Sequence, residues 1–551
     1  KALRLLRAAL AAGAGQEPVA EHPLRVGQRV LVVGEHPAAL DLARALEGSS
    51  QVTLLLQGTP ADYPPHADKS ANWGRVQGLT GRLGAFDATL ALREPGAGRE
   101  TLRHLGADQV LFVGQAEPAY KTRTGLQWVP PGVAANPAPV LARVQSLTGD
   151  FLKPEQVAYQ PDLCAGGAAQ RQACGRCITH CPYDAVQRDA ENPLRVRVDH
   201  LSCEGCRACA AACPTGALRS LDPAPDEVYG QMAALLRFQS DAEPQAAPVL
   251  VLHCSQQGHR ALWQAGERGL TYPASLLPIE LPCLRAASLT NLLAAFRLGA
   301  AGVALLGCAA CPHGARKLLE ENMALAGLVL EALGLGRQRL DLFTLTGEND
   351  PDVLAALSDF ARAVPASPVR FVGRRYHAGP AREVLAESLG FLMRELRQEP
   401  GAVDLPRGAP FADAQVRAGC TLCRSCVNVC PTHAFSFDPQ KQALSFKHVN
   451  CVACGLCAQV CPEQVIALPA RLNLRLAALD YQTVVEDEQV LCTRCGKPFG
   501  NRRALEAVEA KLVHLHALAD AFAGSRRDLL RMCPDCRAAQ AVLEMQSGWQ
   551  P

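Results

Sequence analysis

The sequence predicts a multidomain chain that mixes α/β and α+β units, and three observations carry that reading. Apolar strands alternate with amphipathic helices through residues 24–150 and again through 226–365. Residues 160–222 and 414–470 repeat one another, each with two cysteine-rich loops that end in Cys-Pro. The cysteine count is itself the third observation: 24 in 551 residues, with spacings of a metal-binding rather than a disulfide protein.

Composition narrows the function classes. Hydrophobic residues at 48% and charged residues at 20% are ordinary for globular protein, and the length suits roughly three or four domains. Lys plus Arg (55) nearly balances Asp plus Glu (53), so no nucleic-acid or anionic-membrane footprint is expected. The most apolar stretch, Ala286 to Pro312, is interrupted by Arg297 and two cysteines, which argues against a membrane span. CxxC spacings without a recognisable leader favour metal ligation in a reducing compartment, so a cytoplasmic location is expected.

Residues 1–23 read as an N-terminal helix and 24–150 as a Rossmann-like domain. Arg29-Val-Leu-Val-Val-Gly34 is an unbroken strand, Pro37 to Leu46 a helix and Val52 to Leu56 a second strand, the opening of a βαβ unit, with Val110 to Gly114 a later strand. A GxGxxG fingerprint would follow the first strand, but after Gly34 the chain has His36 at the second position and Ala39 at the third. A side chain at the second position obstructs close approach of the backbone to a pyrophosphate. Gln57 also stands where an acid would meet the ribose. Tightly bound FAD is therefore not expected.

The clearest chemistry is Cys420-Thr-Leu-Cys423-Arg-Ser-Cys426-Val-Asn-Val-Cys430-Pro431, repeated at Cys451, Cys454, Cys457, Cys461 and Pro462. Three thiolates on one loop can hold three irons of a cubane while the fourth cysteine reaches across to the neighbouring cluster. This CxxCxxCxxxCP run resembles bacterial ferredoxins with two 4Fe-4S clusters. The resemblance implies one cluster on Cys420, Cys423, Cys426 and Cys461 and another on Cys451, Cys454, Cys457 and Cys430, within a module spanning 414–470. Zinc would not need two triple-cysteine loops.

A first module, 151–225, departs from the pattern in one place. Cys203, Cys206, Cys209, Cys213 and Pro214 are regular, and Cys174, Cys177, Cys181 and Pro182 supply most of the other loop, but the leading position 171 is Arg. Cys164 lies ten residues before Cys174, across a glycine-containing insertion that can loop out and return it to the cluster. One cluster is then expected on Cys164, Cys174, Cys177 and Cys213 and the other on Cys203, Cys206, Cys209 and Cys181. The alternative is a three-iron cluster or a non-cysteine fourth ligand, with Cys164 a buried thiol.

In residues 226–365, Pro248-Val-Leu-Val-Leu252 and Gly302-Val-Ala-Leu-Leu306 read as strands, and Cys254, Cys283, Cys308 and Cys311 follow strand ends. Loops after parallel strands converge on one edge of a sheet, where ligands collect in α/β folds. With the glycine-rich approach Leu298-Gly-Ala-Ala-Gly-Val-Ala-Leu-Leu-Gly-Cys308, the arrangement resembles the delta subunit of methyl-viologen-reducing hydrogenase. That resemblance implies a 2Fe-2S centre; here Cys254 stands alone where the family usually has a CxxC pair. Structural free thiols are the alternative.

Residues 366–413 read as a helical linker, and 471–551 as a helical domain carrying Cys492-Thr-Arg-Cys495 and Cys533-Pro-Asp-Cys536, separated by 37 residues that include helix-like sequence from Arg502 to Ala523. Four thiolates suit a closed tetrahedral zinc site, and a rubredoxin-like iron fits the same cage. His180, His253, His259, His313, His433 and His448 lie near cysteines and are read as neighbours of the sulfurs rather than ligands.

The whole order resembles fused iron-sulfur proteins related to heterodisulfide reductase, and especially the proteobacterial 4Fe-4S binding proteins that accompany molybdenum formate dehydrogenases. The second module and the tail Cys492-Thr-Arg-Cys495-Gly-Lys-Pro-Phe499 with Met532-Cys533-Pro-Asp-Cys536-Arg537 carry it. It implies an electron-transfer protein with four 4Fe-4S clusters, one 2Fe-2S cluster and one zinc. Its partners would be redox proteins, with formate dehydrogenase favoured and a hydrogenase or heterodisulfide reductase-like enzyme behind it. No catalytic residue set is recognisable, so substrate chemistry is expected elsewhere. A flavin-dependent bifurcating protein, or a molybdoenzyme maturation or docking factor with structural clusters, are the rival readings.

Overall fold

The computed structural model describes residues 2–13, 18–58, 63, 71–93, 100–114, 123–169, 173–237, 247–309, 311, 313–314, 316–346, 351–369, 379–514 and 524–548. The N-terminal unit is built on a seven-stranded sheet. From edge to edge it runs Glu100–Ala107, Ala85–Arg93, Asn72–Arg82, Gln51–Leu56, Arg29–Gly34, Gln109–Val113 and Leu126–Val129. Strands Gln51–Leu56, Arg29–Gly34, Gln109–Val113 and Leu126–Val129 are parallel, and Asn72–Arg82 starts parallel before turning into an antiparallel meander. Alternate residues of Arg29–Gly34 face opposite sides, which is why the run is continuously apolar. Val30 and Val32 meet Ala39, Leu42 and Leu46 of helix Ala38–Glu47, while Leu31 and Val33 meet Phe86, Ala88 and Leu90 of the meander.

The expected helix over 1–23 is shorter than that span. It covers Ala2–Gly13 and lays Ala8 against Val228, Tyr229 and Met232, while Glu21–Val26 is a strand paired with Gly149–Pro154. This antiparallel pair brings the two ends of the unit together. Within the unit, Asp108 is buried against Arg29, which donates Nη2 to Oδ1 at 2.8 Å and Nε and its backbone N–H to Oδ2 at 3.1 and 2.9 Å. Desolvation pushes the Asp108 carboxyl up, but the Arg29 guanidinium and backbone N–H, with the Gly27 amide, reverse that and hold it below its usual value. A carboxyl depressed in the folded state stabilises fully above its unfolded-state value, near 4, and loses that contribution as pH falls through the folded value. Asp108→Asn should therefore cost about 1.5–3 kcal/mol at pH 7, and the difference should vanish in strong acid, as read from thermal unfolding at both pH values.

Two small modules share one plan. In the first, Val157–Tyr159 pairs with Leu218–Ser220 and Val186–Arg188 with Val196–Val198; in the second, Gln415–Val416 pairs with Ile466–Ala467 and Phe435–Asp438 with Ala443–Phe446. Each strand after a Cys-Pro begins at the fifth position beyond the cysteine. The first module's own apolar core is small: Val157, Val186, Val196 and Leu218 with cysteines between them, and Tyr183, Ala185, Ala208 and Ala212 against the neighbouring domain. At about 2 kcal/mol for each fully buried aliphatic side chain, such a core needs help from its ligands.

Between the modules lies a four-stranded parallel sheet, Leu276–Leu281, Val249–Cys254, Gly302–Cys308 and Leu340–Leu345, covered by helices on both faces. Helix Ala381–Leu396 closes one face through Val384, Leu385, Leu389 and Leu392. The stretch 366–413 is therefore more than a helical linker: Gly401–Asp404 is a strand paired with Arg471–Leu474, whose Leu472 and Leu474 enter the same core. The reading of 471–551 as helical needs the same correction. Gln482–Glu486 adds a third strand to the second module, Gln489–Leu491 pairs with Pro498–Asn501, and helix begins at Arg502 and is described to His514. The remainder of the expected helix, 515–523, lies outside the described residues. No described helix is long and apolar enough to cross a membrane.

Candidate metal centres

The cysteine loops of the two modules are wound by backbone that few L-residues adopt. The residue after each middle cysteine has positive φ in all four loops: Gly175 (92°), Arg207 (61°), Arg424 (64°) and Gly455 (80°). So does the third residue after each Cys of Cys-Pro: Asp184 (55°), Gly216 (78°), His433 (50°) and Gln464 (52°). Non-glycine residues there cost about 1–2 kcal/mol each, and the repetition of that cost at equivalent positions marks a shared constraint. Successive left-handed turns aim amides inward. Accordingly Ala434 N–H donates to Cys430 Sγ at 3.2 Å and Leu218 N–H to Cys213 Sγ at 3.5 Å.

The sulfurs converge in sets. Burial and the nearby sulfurs of Cys213, Cys174 and Cys164 push the Cys177 thiol up to about 12, and the Tyr159 hydroxyl bonds Cys164. Cys164 reaches this group from the start of the short helix Ala165–Ala169, where Gly167 lies so close to Pro161 that an added Cβ would sit 2.5 Å from its carbonyl oxygen. The other half of the first module gathers Cys181, Cys203 and Cys206 around the deeply buried Cys209, whose thiol is driven well up by burial and by those neighbours. In the second module Cys420, Cys423 and Cys461 form one group with Cys426, and Cys430, Cys451 and Cys454 form another with Cys457.

A third kind of site sits at the edge of the four-stranded sheet. Cys254 and Cys308 end adjacent strands, Cys283 follows the neighbouring strand Leu276–Leu281, and Cys311 returns from the next loop. The four thiols share protons: Cys311 and Cys254 are held down by their thiol neighbours, and Cys283 and Cys308 are raised in exchange. Four sulfurs that must share protons at this density are a donor set for soft metal. Gly258 donates its N–H to Cys254 Sγ at 3.2 Å, and an added Cβ there would meet Leu306 O at 2.7 Å.

Near the C-terminus, ligand atoms of Cys492, Cys495, Cys533 and Cys536 lie within 4.8 Å of one another, with Cys495 Sγ and Cys533 Sγ 3.7 Å apart. A tetrahedron with a metal–sulfur bond of about 2.3 Å has sulfur–sulfur edges of roughly 3.8 Å, close to the Cys495–Cys533 separation, so the set suits zinc or iron.

The histidines near these groups have other partners. His448 Nε2 accepts from Asn473 N–H at 2.9 Å, His259 faces Glu280, His180 faces Glu321, and His253 Nδ1 lies 3.3 Å from Cys254 O.

Comparison with known proteins adds the family. Residues 249–366 match the methyl-viologen-reducing hydrogenase delta subunit family, and residues 146–217 and 419–465 match the 4Fe-4S dicluster domain. The vhu iron-sulfur subunit of the F420-non-reducing hydrogenase from Methanocaldococcus jannaschii is 30% identical over 121 residues, which is 21% of this chain and 90% of the relative. The chain belongs to the delta-subunit family. The corresponding protein of Methanococcus maripaludis is 35% identical over 107 residues, 18% of this chain and 79% of the relative.

The delta-subunit domain and the two dicluster modules touch through their cysteines. Cys283 of the delta-subunit domain lies against Cys206 of the first module, and both sit in one buried group with Tyr183, Ala185 and Leu318. The Tyr183 hydroxyl, two residues after Cys181, bonds His313 Nδ1, two residues after Cys311. Across the first module, Cys209 neighbours Cys177. The modules then meet where Cys454 lies near Cys174, in an apolar contact of Ala165 and Ala173 with Val429 and Leu456. Within the second module Cys457 neighbours Cys426. Each of the five cysteine groups thus has the next as a neighbour. The cysteine spacing marked the neighbours within each module but not the two junctions between domains, Cys283 with Cys206 and Cys174 with Cys454, which join residues distant in the chain.

Proposed function

We propose that the chain is an electron relay. Cys254, Cys283, Cys308 and Cys311 would hold a 2Fe-2S centre. In the first module Cys181, Cys203, Cys206 and Cys209 would hold one 4Fe-4S cluster and Cys164, Cys174, Cys177 and Cys213 a second. In the second module the sets are Cys430, Cys451, Cys454 and Cys457, then Cys420, Cys423, Cys426 and Cys461. Such clusters supply one-electron storage, with potentials set by charge, hydrogen bonds to sulfur and solvent exposure. The protein's part is to hold the sulfurs close to one another, keep water from the buried Cys283–Cys206 junction and donate amide N–H groups to the thiolates. Cys492, Cys495, Cys533 and Cys536 are assigned to one zinc. The observation that carries the reading is the unbroken adjacency from Cys283 to Cys206, Cys209 to Cys177, Cys174 to Cys454 and Cys457 to Cys426.

The Rossmann-like reading of residues 24–150 is supported by the parallel strand order of the sheet, which is the doubly wound order. That order is the observation favouring the rival, flavin-dependent bifurcation. The first βα turn weighs against it. Ala38 N–H, an amide that would face a phosphate, donates to His36 Nδ1 at 3.1 Å, and the Tyr63 hydroxyl donates to Gly34 O at 3.1 Å.

The partners would be redox proteins. The relatives named above are hydrogenase subunits, and a molybdenum formate dehydrogenase remains the favoured donor, with a hydrogenase or heterodisulfide reductase-like enzyme behind it. Anaerobic chain mixed with such an enzyme and its substrate should show cluster bleaching, while the chain alone should turn over neither formate, hydrogen nor disulfide with dyes. Turnover by the isolated chain, or stoichiometric FAD released on denaturation, would overturn the relay reading.

A further inference from the structure

Among the described residues, Arg382 is a buried cation with no carboxylate partner. It is the second residue of helix Ala381–Leu396 and is 7% exposed. Its Nε donates to Val449 O at 2.5 Å, Nη1 to Pro410 O at 3.1 Å and Nη2 to Cys451 O, and its Cζ lies 4.1 Å from the Phe411 ring centroid. All three acceptors are neutral carbonyls. Asp413, close in sequence to Phe411, faces His448 at 3.5 Å. Burial lowers the guanidinium to about 10 while Cys451 pulls it up, so it stays charged at neutral pH.

Two other buried arginines set the position of Arg382 in relief. Arg339 also donates to carbonyls, those of Leu335, Ala301, Pro365 and Ala366, but it lies in a short turn beyond helix Lys317–Ala332 and not in the first turn of a helix. Arg382 occupies the first turn of its helix, where the helix dipole disfavours a cation. Arg207, another arginine buried beside a cysteine loop, has the Cys203 thiol and then the acidic Asp222 as electrostatic neighbours and donates to the Asp222 carbonyl. A buried charge left uncompensated costs several kcal/mol. At Arg382 the charge within reach is the thiolate set that includes Cys451.

We propose that Arg382 is the buried counter-cation of the Cys430, Cys451, Cys454 and Cys457 group, and that it raises the reduction potential of the cluster held there. The proposal rests on the relay reading above. A fixed positive charge favours the more negative, reduced state of a thiolate-ligated cluster, and in a medium of low dielectric the effect is strong. Arg382 is thus a positioning residue for the electron on the second module's side of the junction.

The test is an EPR-monitored potentiometric titration of anaerobic full-length protein, wild type against Arg382→Gln and Arg382→Lys, with iron analysis of each. Arg382→Gln should move one 4Fe-4S midpoint to lower potential and leave the others in place, and Arg382→Lys should restore most of it. Unchanged midpoints at unchanged iron content would overturn the proposal. So would loss of the same cluster from both variants, which would make Arg382 a structural fastener. Absence of reducible clusters in the wild type would instead sink the relay reading itself.

Discussion

Cys164→Ala should abolish the EPR signal of one 4Fe-4S cluster and leave the other three. The leading position of that loop, 171, is Arg, so Cys164 alone completes the set with Cys174, Cys177 and Cys213. A cubane that loses a thiolate ligand is exposed to loss of iron, and the expected cost is up to about four irons per chain. The position of this group makes the functional cost larger than the chemical one. Cys174 is the residue that lies beside Cys454, so the variant removes the junction between the two modules. A reductant acting at the delta-subunit end should then reduce the clusters of the first half and leave those of the second module oxidised. Unchanged spectra and iron content would show that Cys164 is no ligand.

Cys533→Ser should release the zinc and unfold the C-terminal unit while sparing every iron. Among the described residues no hydrophobic cluster includes a residue beyond Val485, and the buried apolar groups there are Leu530, Cys492 and Cys533 themselves. A unit with so little core depends on its metal, and four-thiolate zinc sites contribute about 10–16 kcal/mol of binding free energy at neutral pH. Backbone amides of Cys533, Cys495 and Arg494 outweigh desolvation and bring the Cys492 thiol down to about 6, so that sulfur is poised for ligation. Zinc analysis with limited proteolysis reads the outcome. The variant should lose one zinc per chain and become cleavable beyond Glu488, whereas retained zinc and unchanged protease resistance would refute the assignment.

What the sequence revealed depended on how local each signal is. Arg29–Gly34 and Gly302–Cys308 were legible because strands buried on both faces are continuously apolar. The four Cys-Pro turns were legible because one ligand pattern forces one local conformation. The meander of Asn72–Arg82, Ala85–Arg93 and Glu100–Ala107 was not, since Glu100–Ala107 is largely exposed and carries little hydrophobic alternation. Arg471–Leu474 and Gln482–Glu486 were missed for a different reason. Runs of four or five residues show no reliable period, and these strands form by pairing with Gly401–Asp404 and Ala443–Phe446 from elsewhere in the chain. Arg382 had no signal at all: it lies 69 residues from Cys451 and belongs to no motif.

The presence of five cysteine-ligated centres in one chain, with a separate zinc, is tested most directly by Mössbauer spectroscopy and metal analysis of isotopically enriched, anaerobically purified full-length protein. Roughly 18 irons and one zinc per chain are expected, with most of the iron in 4Fe-4S clusters and a minor component of dinuclear type. About 8 irons, with no dinuclear component, would contradict the assignments at Cys254, Cys283, Cys308 and Cys311 and in the first module together.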